Sequence, residues 1–107
     1  MGTAGDNLFK ALADPTRRAI FERLVREGEQ TVRAITDNAR VSQPMVSKHL
    51  AVLKASGLVR NRRDGRKIHY SARIQSLSPM IDWLSDYAPF SRELIGMRAL
   101  TESANLP

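Results

Sequence analysis

The chain has 107 residues, of which 42% are hydrophobic and 26% are charged, and its net charge at pH 7 is +6. This length and composition are those of one globular domain with a modest hydrophobic core. The sequence has no cysteine, which excludes disulfides and thiolate metal sites, and no apolar run long enough for a secretion signal or a membrane span, so we expect a cytoplasmic protein.

Two helices are predicted near the N-terminus. Residues 7–13 form a short first helix with Asn7 as a candidate cap, and the six residues before it are expected to be flexible. Asp14 and Pro15 then indicate a second helix, because aspartate caps helices and proline fits the first turn. This helix is expected to end at Gly28 and to bury a stripe of four apolar residues: Ile20, Phe21, Leu24 and Val25.

Two further helices follow, joined by a short turn. Thr31 is predicted to cap a third helix in which Val32 and Ile35 face inward. After a turn at residues 38–41, Ser42 is predicted to cap a fourth helix that extends to residue 56 and stops at Gly57. Its buried face is predicted from helical spacing: Val46, Leu50 and Leu53.

After Gly57 the pattern changes to two strands, residues 58–63 and 66–71, around Asp64-Gly65. This dipeptide predicts a type I′ hairpin that pairs Arg63 with Arg66 and Val59 with Tyr70. Strand alternation then gives one face that packs on the domain and one cationic face. The packed face is predicted to carry Val59, Ile68 and Tyr70, and the cationic face Arg60, Arg62, Lys67 and His69.

Residues 78–103 are predicted to form a final helix, kinked or broken at Pro89, with residues 104–107 flexible. Its apolar residues recur at spacings of three and four, and the first of them can cover the core. The remainder predicts a two-fold dimer interface, the alternative being a monomer whose last helix folds back. The predicted interface residues are Leu8, Leu12, Trp83, Tyr87, Phe90, Leu94 and Met97.

The positive charge is concentrated in one third of the chain. Residues 40–73 hold nine basic residues and a single acid, a net charge of +8, whereas the remainder is net −2. This asymmetry predicts one cationic surface that faces a polyanion. A basic face that serves only solubility is the alternative.

Two short helices joined by a tight turn and followed by a basic hairpin suit duplex DNA. A helix fits the major groove, the helix before it holds it in place, and arginines of the hairpin can reach phosphates or the minor groove. For His49, packing in the core is the alternative to a DNA contact. The predicted DNA-binding residues are Ser42, Gln43, Pro44, Met45, Ser47, Lys48, His49, Arg60, Arg62, Arg63, Arg66 and Lys67.

The segments LADPTRRAIFERL (residues 12–24) and VSQPMVSKHLAVLKASGLV (residues 41–59) resemble the ArsR-type winged helix-turn-helix regulators. The resemblance extends over about residues 7–100. It implies a mainly helical fold with a small β-hairpin, a single domain over residues 1–107, and dimerisation through the terminal helices. It also implies a homodimer that binds an inverted repeat in double-stranded DNA, usually as a repressor, with Gln43, Ser47, Lys48 and His49 on the recognition helix.

The chain departs from that family's pattern at two places. Arg40 stands where a glycine is common, so Asn38 is expected to take the left-handed position in the turn. Many members bind metals through cysteines in the third helix or through Asp, His and Glu in the last helix. Here the third helix offers only Asp37 and the last helix has no histidine, so we expect no metal site and no cofactor.

Catalytic function is not expected, because the sequence has no nucleophile beside a base, no glycine-rich phosphate loop and no histidine–carboxylate cluster. The alternative to a DNA-binding regulator is a protein-interaction module whose basic face binds an acidic partner. The position of the charge, on the fourth helix and the hairpin, favours DNA. A small-molecule or protein effector is left open, as are the operator and the regulated genes.

Overall fold

A computed structural model describes residues 3–91 of the chain. Within these residues the fold has five α-helices: α1 (Thr3–Ala13), α2 (Pro15–Glu27), α3 (Val32–Ala39), α4 (Gln43–Ala55) and α5 (Ser78–Ser85). Three strands, β1 (Gln30–Thr31), β2 (Val59–Asp64) and β3 (Lys67–Ala72), form an antiparallel sheet in the order β1-β3-β2. Short 3₁₀ segments, Ile74–Leu77 and Ala88–Ser91, flank α5. The order of the elements is the predicted one, with β1 as an unpredicted third strand.

The starts of three helices follow from side-chain caps. Asp14 Oδ1 accepts a hydrogen bond from the backbone N–H of Arg17 at 3.0 Å, which fixes the start of α2. Thr31 Oγ1 and Ser42 Oγ accept corresponding bonds at the starts of α3 and α4, at 3.2 and 3.4 Å. Each cap satisfies a backbone donor that the first helical turn leaves free. The predicted starts of α2, α3 and α4 are therefore confirmed.

Helix α1 begins earlier than predicted. It starts at Thr3, so Asn7 lies within the helix and does not cap it. The end of α1 is held by α2, because Arg17 Nε donates to the carbonyl of Ala11 at 2.8 Å and Arg18 Nη1 donates to that of Leu12 at 2.9 Å. These arginines supply donors to carbonyls that lack helical partners at the end of α1.

The core lies where α1–α4 meet the first residues of the sheet. Its fully buried side chains include Leu8, Leu24, Val46, Leu50, Leu53, Leu58 and Val59. Met80 of α5 packs against it, as predicted for the first part of the final helix, and Leu77 of the preceding 3₁₀ segment packs there as well. Val25 is exposed, so the prediction that it belongs to the buried stripe of α2 is wrong.

The β2–β3 hairpin, called the wing below, has a different register from the predicted one. Asp64 pairs with Lys67 and Val59 pairs with Ala72, so Gly65 and Arg66 form the turn. The predicted pairs of Arg63 with Arg66 and Val59 with Tyr70 are wrong. Gly65 has φ 63° and occupies the first central position, where a type II′ turn places glycine, whereas the type I′ prediction placed it second. Each strand shifts by one residue, so the predicted division of side chains between the two faces is preserved.

Helix α5 ends at Ser85, four residues before Pro89. The backbone N–H of Tyr87 donates to the carbonyl of Leu84 at 3.0 Å, a 3₁₀ pattern that ends the helix, and Pro89 lies in the following 3₁₀ segment. The helix therefore ends before Pro89 and is not kinked at this residue. The predicted interface residues Leu94 and Met97 and the predicted flexible end lie outside the described residues.

Over residues 3–91, no helix is both long enough and apolar enough to cross a membrane.

Candidate nucleic-acid interface

The turn between α3 and α4 is made by Arg40. Its φ of 59° is in the left-handed region, directly after the last residue of α3. Asn38 stays within α3, where its Nδ2 donates to the carbonyl of Ala34 at 2.9 Å. The prediction that Asn38 takes the left-handed position is therefore wrong. Arg40 is the first residue after α3, and this is the position at which a left-handed residue commonly ends a helix.

Helix α4 separates its residues into two faces. Val46, Leu50 and Leu53 are fully buried against the rest of the domain. The opposite face, near the N-terminus of the helix, is exposed and carries mostly short or polar side chains. Six of the predicted DNA-binding residues are exposed there: Ser42, Gln43, Pro44, Met45, Ser47 and Lys48.

His49 lies on the buried face of α4 and is only 8% exposed. Its assignment to the DNA-binding set is therefore not supported, because His49 is packed in the core. The pKa of Asp14, at the start of α2, is lowered mainly by the hydrogen bond from the Arg17 backbone N–H, and His49 lies near enough for its protonated form to lower it further. His49 thus lies close to the cap that starts α2.

The wing carries the densest positive charge. Its predicted DNA-binding cations are all exposed: Arg60, Arg62, Arg63, Arg66 and Lys67. Arg63 lies across from Ile68, whereas Arg62 lies across from His69 on the other face. The two neighbouring arginines therefore point to opposite faces of the wing.

Arg62 is held by a carboxylate from another part of the chain. Its Nε donates to both oxygens of Glu29, at 3.1 and 3.0 Å, and its Nη2 donates to Glu29 Oε1 at 2.7 Å. The hydrogen bonds from Arg62 hold the pKa of Glu29 below its usual value, and Glu29 in turn raises the pKa of Arg62. Arg62 is therefore not the unpaired cation that the sequence pattern predicts.

His69 lies beside this ion pair. Its Nδ1 is 3.9 Å from Glu29 Oε1, and its Nε2 is 4.0 Å from Asp64 Oδ2. The two carboxylates thus reach the imidazole from both sides. Sequence reasoning did not find Glu29, since it stands 33 positions before Arg62 and no local pattern connects the two.

An exposed aromatic surface lies where α1 meets α5. The ring of Trp83 packs edge-on against Phe9, with centroids 5.4 Å apart, and contacts Tyr87 at 5.0 Å. Phe90, beyond the end of α5, is 85% exposed. Leu8 is buried inside its own subunit, so its assignment to a dimer interface is wrong; the neighbouring Phe9 is exposed instead.

Possible metal ligands are dispersed in the part of the chain that the structure describes. Between residues 3 and 91, no three side chains of His, Asp or Glu come together in an arrangement that could hold a metal ion.

The sequence and the fold are both similar to those of known proteins. A helix-turn-helix domain family matches residues 12–62. The chain is 35% identical over 82 residues to the transcriptional repressor SdpR of Bacillus subtilis, covering 77% of this chain and 90% of that protein. The ArsR-like transcriptional regulator of Rhodococcus sp. RHA1 has the same fold, with a TM-score of 0.73 and 29% identity over 92% of each chain. The chain belongs to the ArsR family.

A further ArsR-family neighbour is the homodimeric winged helix-turn-helix DNA-binding domain of a possible regulator from Mycobacterium bovis. Its TM-score is 0.66 at 28% identity, covering 79% of this chain and 81% of that chain. The matched segment spans about half the length of several other curated relatives. Membership of the ArsR family confirms the predicted winged helix-turn-helix fold and the prediction of a DNA-binding transcriptional regulator rather than an enzyme.

Proposed function

We propose that this ArsR-family chain represses transcription by binding an inverted-repeat operator in duplex DNA as a homodimer. The observation that carries the proposal is the division of α4 into a buried apolar face and an exposed polar face, followed directly by a cationic wing. The relative from Bacillus subtilis is named a repressor, which supports the direction of regulation. Because the operator would be chromosomal, we place the protein in the cytoplasm.

The two parts of the surface have different tasks in this proposal. Gln43 and Ser47 lie on the exposed face of α4 and have donors and acceptors that suit base edges in the major groove. Arg63 and Arg66, at the end of the wing, contact phosphates without reading sequence. The N-terminus of α4 adds backbone donors and a positive dipole end that favour another phosphate.

Two subunits are needed for an inverted repeat, and the aromatic surface offers the contact between them. Trp83, Tyr87 and Phe90 are all exposed in the single chain, and Trp83 contacts Phe9 where α1 meets α5. Large aromatic side chains contribute strongly to interfaces when they are buried between subunits. Two-fold symmetry through this surface would present two α4 helices to successive half-sites.

Selection from a random duplex library, followed by fluorescence anisotropy across a salt series, tests the DNA part. We expect affinity to fall steeply with salt, and the double change Arg63→Ala and Arg66→Ala to reduce the slope by about 0.9 for each lost phosphate contact. Gln43→Ala should instead weaken binding by roughly 1–3 kcal/mol only on duplexes that have the preferred base. Absence of duplex binding at low salt would contradict the proposal.

Light scattering at micromolar concentration tests the dimer. Phe90→Glu alters a side chain that is exposed in the subunit, so it should preserve the fold and yet separate the two chains, because a charge cannot be buried unpaired in an interface. Ile74→Glu is the matched control, since Ile74 is also an exposed hydrophobic residue but lies outside the predicted interface. A wild-type mass near 12.0 kDa, the mass of one chain, would show that the homodimer assignment is wrong.

A further inference from the structure

A histidine of the wing lies between two carboxylates. His69 is on β3, where it pairs with Thr31 of β1 on one side and with Arg62 of β2 on the other. Its Nδ1 is 3.9 Å from Glu29 Oε1, and its Nε2, 4.0 Å from Asp64 Oδ2, is buried with no hydrogen-bond partner. Each ring nitrogen therefore faces a carboxylate that is too distant for a hydrogen bond.

This arrangement suits an imidazolium better than a neutral imidazole. A neutral ring has one N–H donor, and its other nitrogen is an acceptor, which a carboxylate cannot serve because it has no proton to donate. Protonation makes both nitrogens of His69 donors, so both carboxylates become suitable partners. The Asp64 side chain is 69% exposed and is free to approach the ring. Histidine ordinarily changes its charge between about pH 5 and 8, so the protonated form is accessible under mild conditions.

Charges of both signs surround His69. They come from the segment before β1, from β2 and from β3 itself: Glu29, Arg60, Arg62, Asp64 and Lys67. Helices α2 and α3 also pack against β3. Over residues 3–91, their charged side chains make no ion pair with His69, including those nearest to β1 in the chain, Arg26, Glu27 and Arg33. The two carboxylates beside His69 are therefore the groups whose removal should disfavour the imidazolium.

Glu29 connects His69 to Arg62. The carboxylate oxygen nearest to His69, Oε1, also accepts from Arg62 Nη2 at 2.7 Å and from Arg62 Nε at 3.1 Å. A protonated imidazole brings a second cation to this same oxygen, so Glu29 holds Arg62 less strongly. His69 and Arg62 also lie directly opposite each other across the wing, where like charges repel. Both effects weaken the ion pair that neutralises Arg62.

A positive charge gained by the wing favours a polyanion. We propose that His69 is a proton-responsive switch of DNA binding, which on protonation adds a charge to the wing and loosens Arg62 from Glu29. The sign follows from linkage: DNA binds the protonated form more tightly, so the gain in affinity is present at low pH and is lost as the pH rises. This regulation rests on the proposed function, whereas the coupling of His69 to its two carboxylates does not.

The coupling is tested on the DNA-free protein by following the imidazole signals with ¹H–¹³C NMR as the pH is changed. The chain has two histidines, and the signal that is missing from His69→Gln identifies His69. Glu29→Gln and Asp64→Asn should each lower the pH at which this signal titrates by a few tenths of a pH unit, because each removes a carboxylate that stabilises the imidazolium. Glu22→Gln, which removes the same charge from an exposed position on α2, should leave the titration unchanged.

Fluorescence anisotropy with a selected duplex, at constant ionic strength between about pH 5.5 and pH 8, tests the switch. We expect the wild type to bind several-fold more tightly at the lower pH, with a salt slope steeper by up to about 0.9 for each phosphate contact that Arg62 gains. His69→Gln should lose most of this pH dependence, because glutamine does not titrate. Lys67→Gln is the matched control: it removes a wing cation that does not titrate in this range, so it should weaken binding at every pH and keep the pH dependence. In Glu29→Gln, Arg62 is free at every pH, so its salt slope should change less with pH than that of the wild type.

Equal pH dependence in the wild type and His69→Gln, or weaker wild-type binding at low pH, would overturn the switch. An unchanged titration of His69 in both Glu29→Gln and Asp64→Asn would overturn the coupling. If His69→Gln fails to fold, sequential assignment identifies the histidine signal, and the salt slopes of the wild type and Glu29→Gln decide the switch. Failure of the wild type to bind any duplex at either pH would overturn the proposed function and the switch with it, while the NMR titration would still decide the coupling.

Discussion

Replacing Glu29 with glutamine should release Arg62 for contact with DNA. In the folded chain, the Glu29 carboxylate accepts three contacts of 2.7, 3.0 and 3.1 Å from the Arg62 guanidinium, so the charge of Arg62 is largely neutralised within the protein. Glutamine keeps the size of the side chain but removes its charge. Each added phosphate contact steepens the dependence of log K on log salt by about 0.9. We therefore expect the slope for Glu29→Gln to be steeper by up to about 0.9 per bound subunit, with tighter binding at low salt.

Fluorescence anisotropy of a labelled duplex across a salt series measures this slope. Glu22→Gln is the matched control, because it removes the same charge from an exposed position on α2. In the wild-type background, Arg62→Ala should flatten the slope less than Arg63→Ala, since Arg62 is already paired. Equal slopes for Glu29→Gln and Glu22→Gln, or equal losses for the two arginine variants, would refute the reasoning.

Three further predictions concern stability and metals. Leu50→Ala removes a fully buried side chain and should lower the free energy of unfolding by roughly 2–5 kcal/mol, against less than about 0.5 kcal/mol for the exposed Val52→Ala, as urea denaturation would show. Gly65→Ala should destabilise the protein by about 1 kcal/mol, because φ at Gly65 is 63° even though the added Cβ would meet open space. Gly5→Ala should instead stabilise it, because Gly5 lies in α1 and the nearest atom to its added Cβ is 4.0 Å away. Thermal melts would then show a lower Tm for Gly65→Ala and a higher Tm for Gly5→Ala. Zinc should leave operator affinity unchanged, because the chain has no cysteine and the described residues hold no cluster of three ligands; tight stoichiometric uptake would contradict this.

The parts of the fold that short-range signals determine were predictable. Asp14, Thr31 and Ser42 each cap a helix through a hydrogen bond to the residue three positions on, and such bonds depend only on local sequence. The buried face of α4 followed from helical spacing for the same reason. The exposed polar residues at its start could therefore be identified without coordinates.

Features that depend on distant partners were not predictable. The strand β1 has only two residues, which are too few to show a strand pattern in the sequence, and it is defined by its pairing with β3. The wing register was misjudged because Asp64-Gly65 fits one hairpin turn locally, whereas the sheet places Gly65-Arg66 at the turn. Likewise, Leu8 and Phe9 are adjacent on α1, and only the packed structure shows which of them is buried.

The short strand β1 makes the wing a stiff extension of the helical body. Thr31 ends β1, pairs with His69 of the wing and also caps α3, while the residue before β1, Glu29, is linked to Arg62. Gln30, between them, pairs with Tyr70, so three consecutive residues attach the wing to the body and a bend of the wing would strain all three attachments. A duplex whose curvature does not match the wing would therefore have to bend in order to keep its contacts with it. Elastic energy of the duplex then enters the affinity, and sequence preference extends to flexible base-pair steps that no side chain touches.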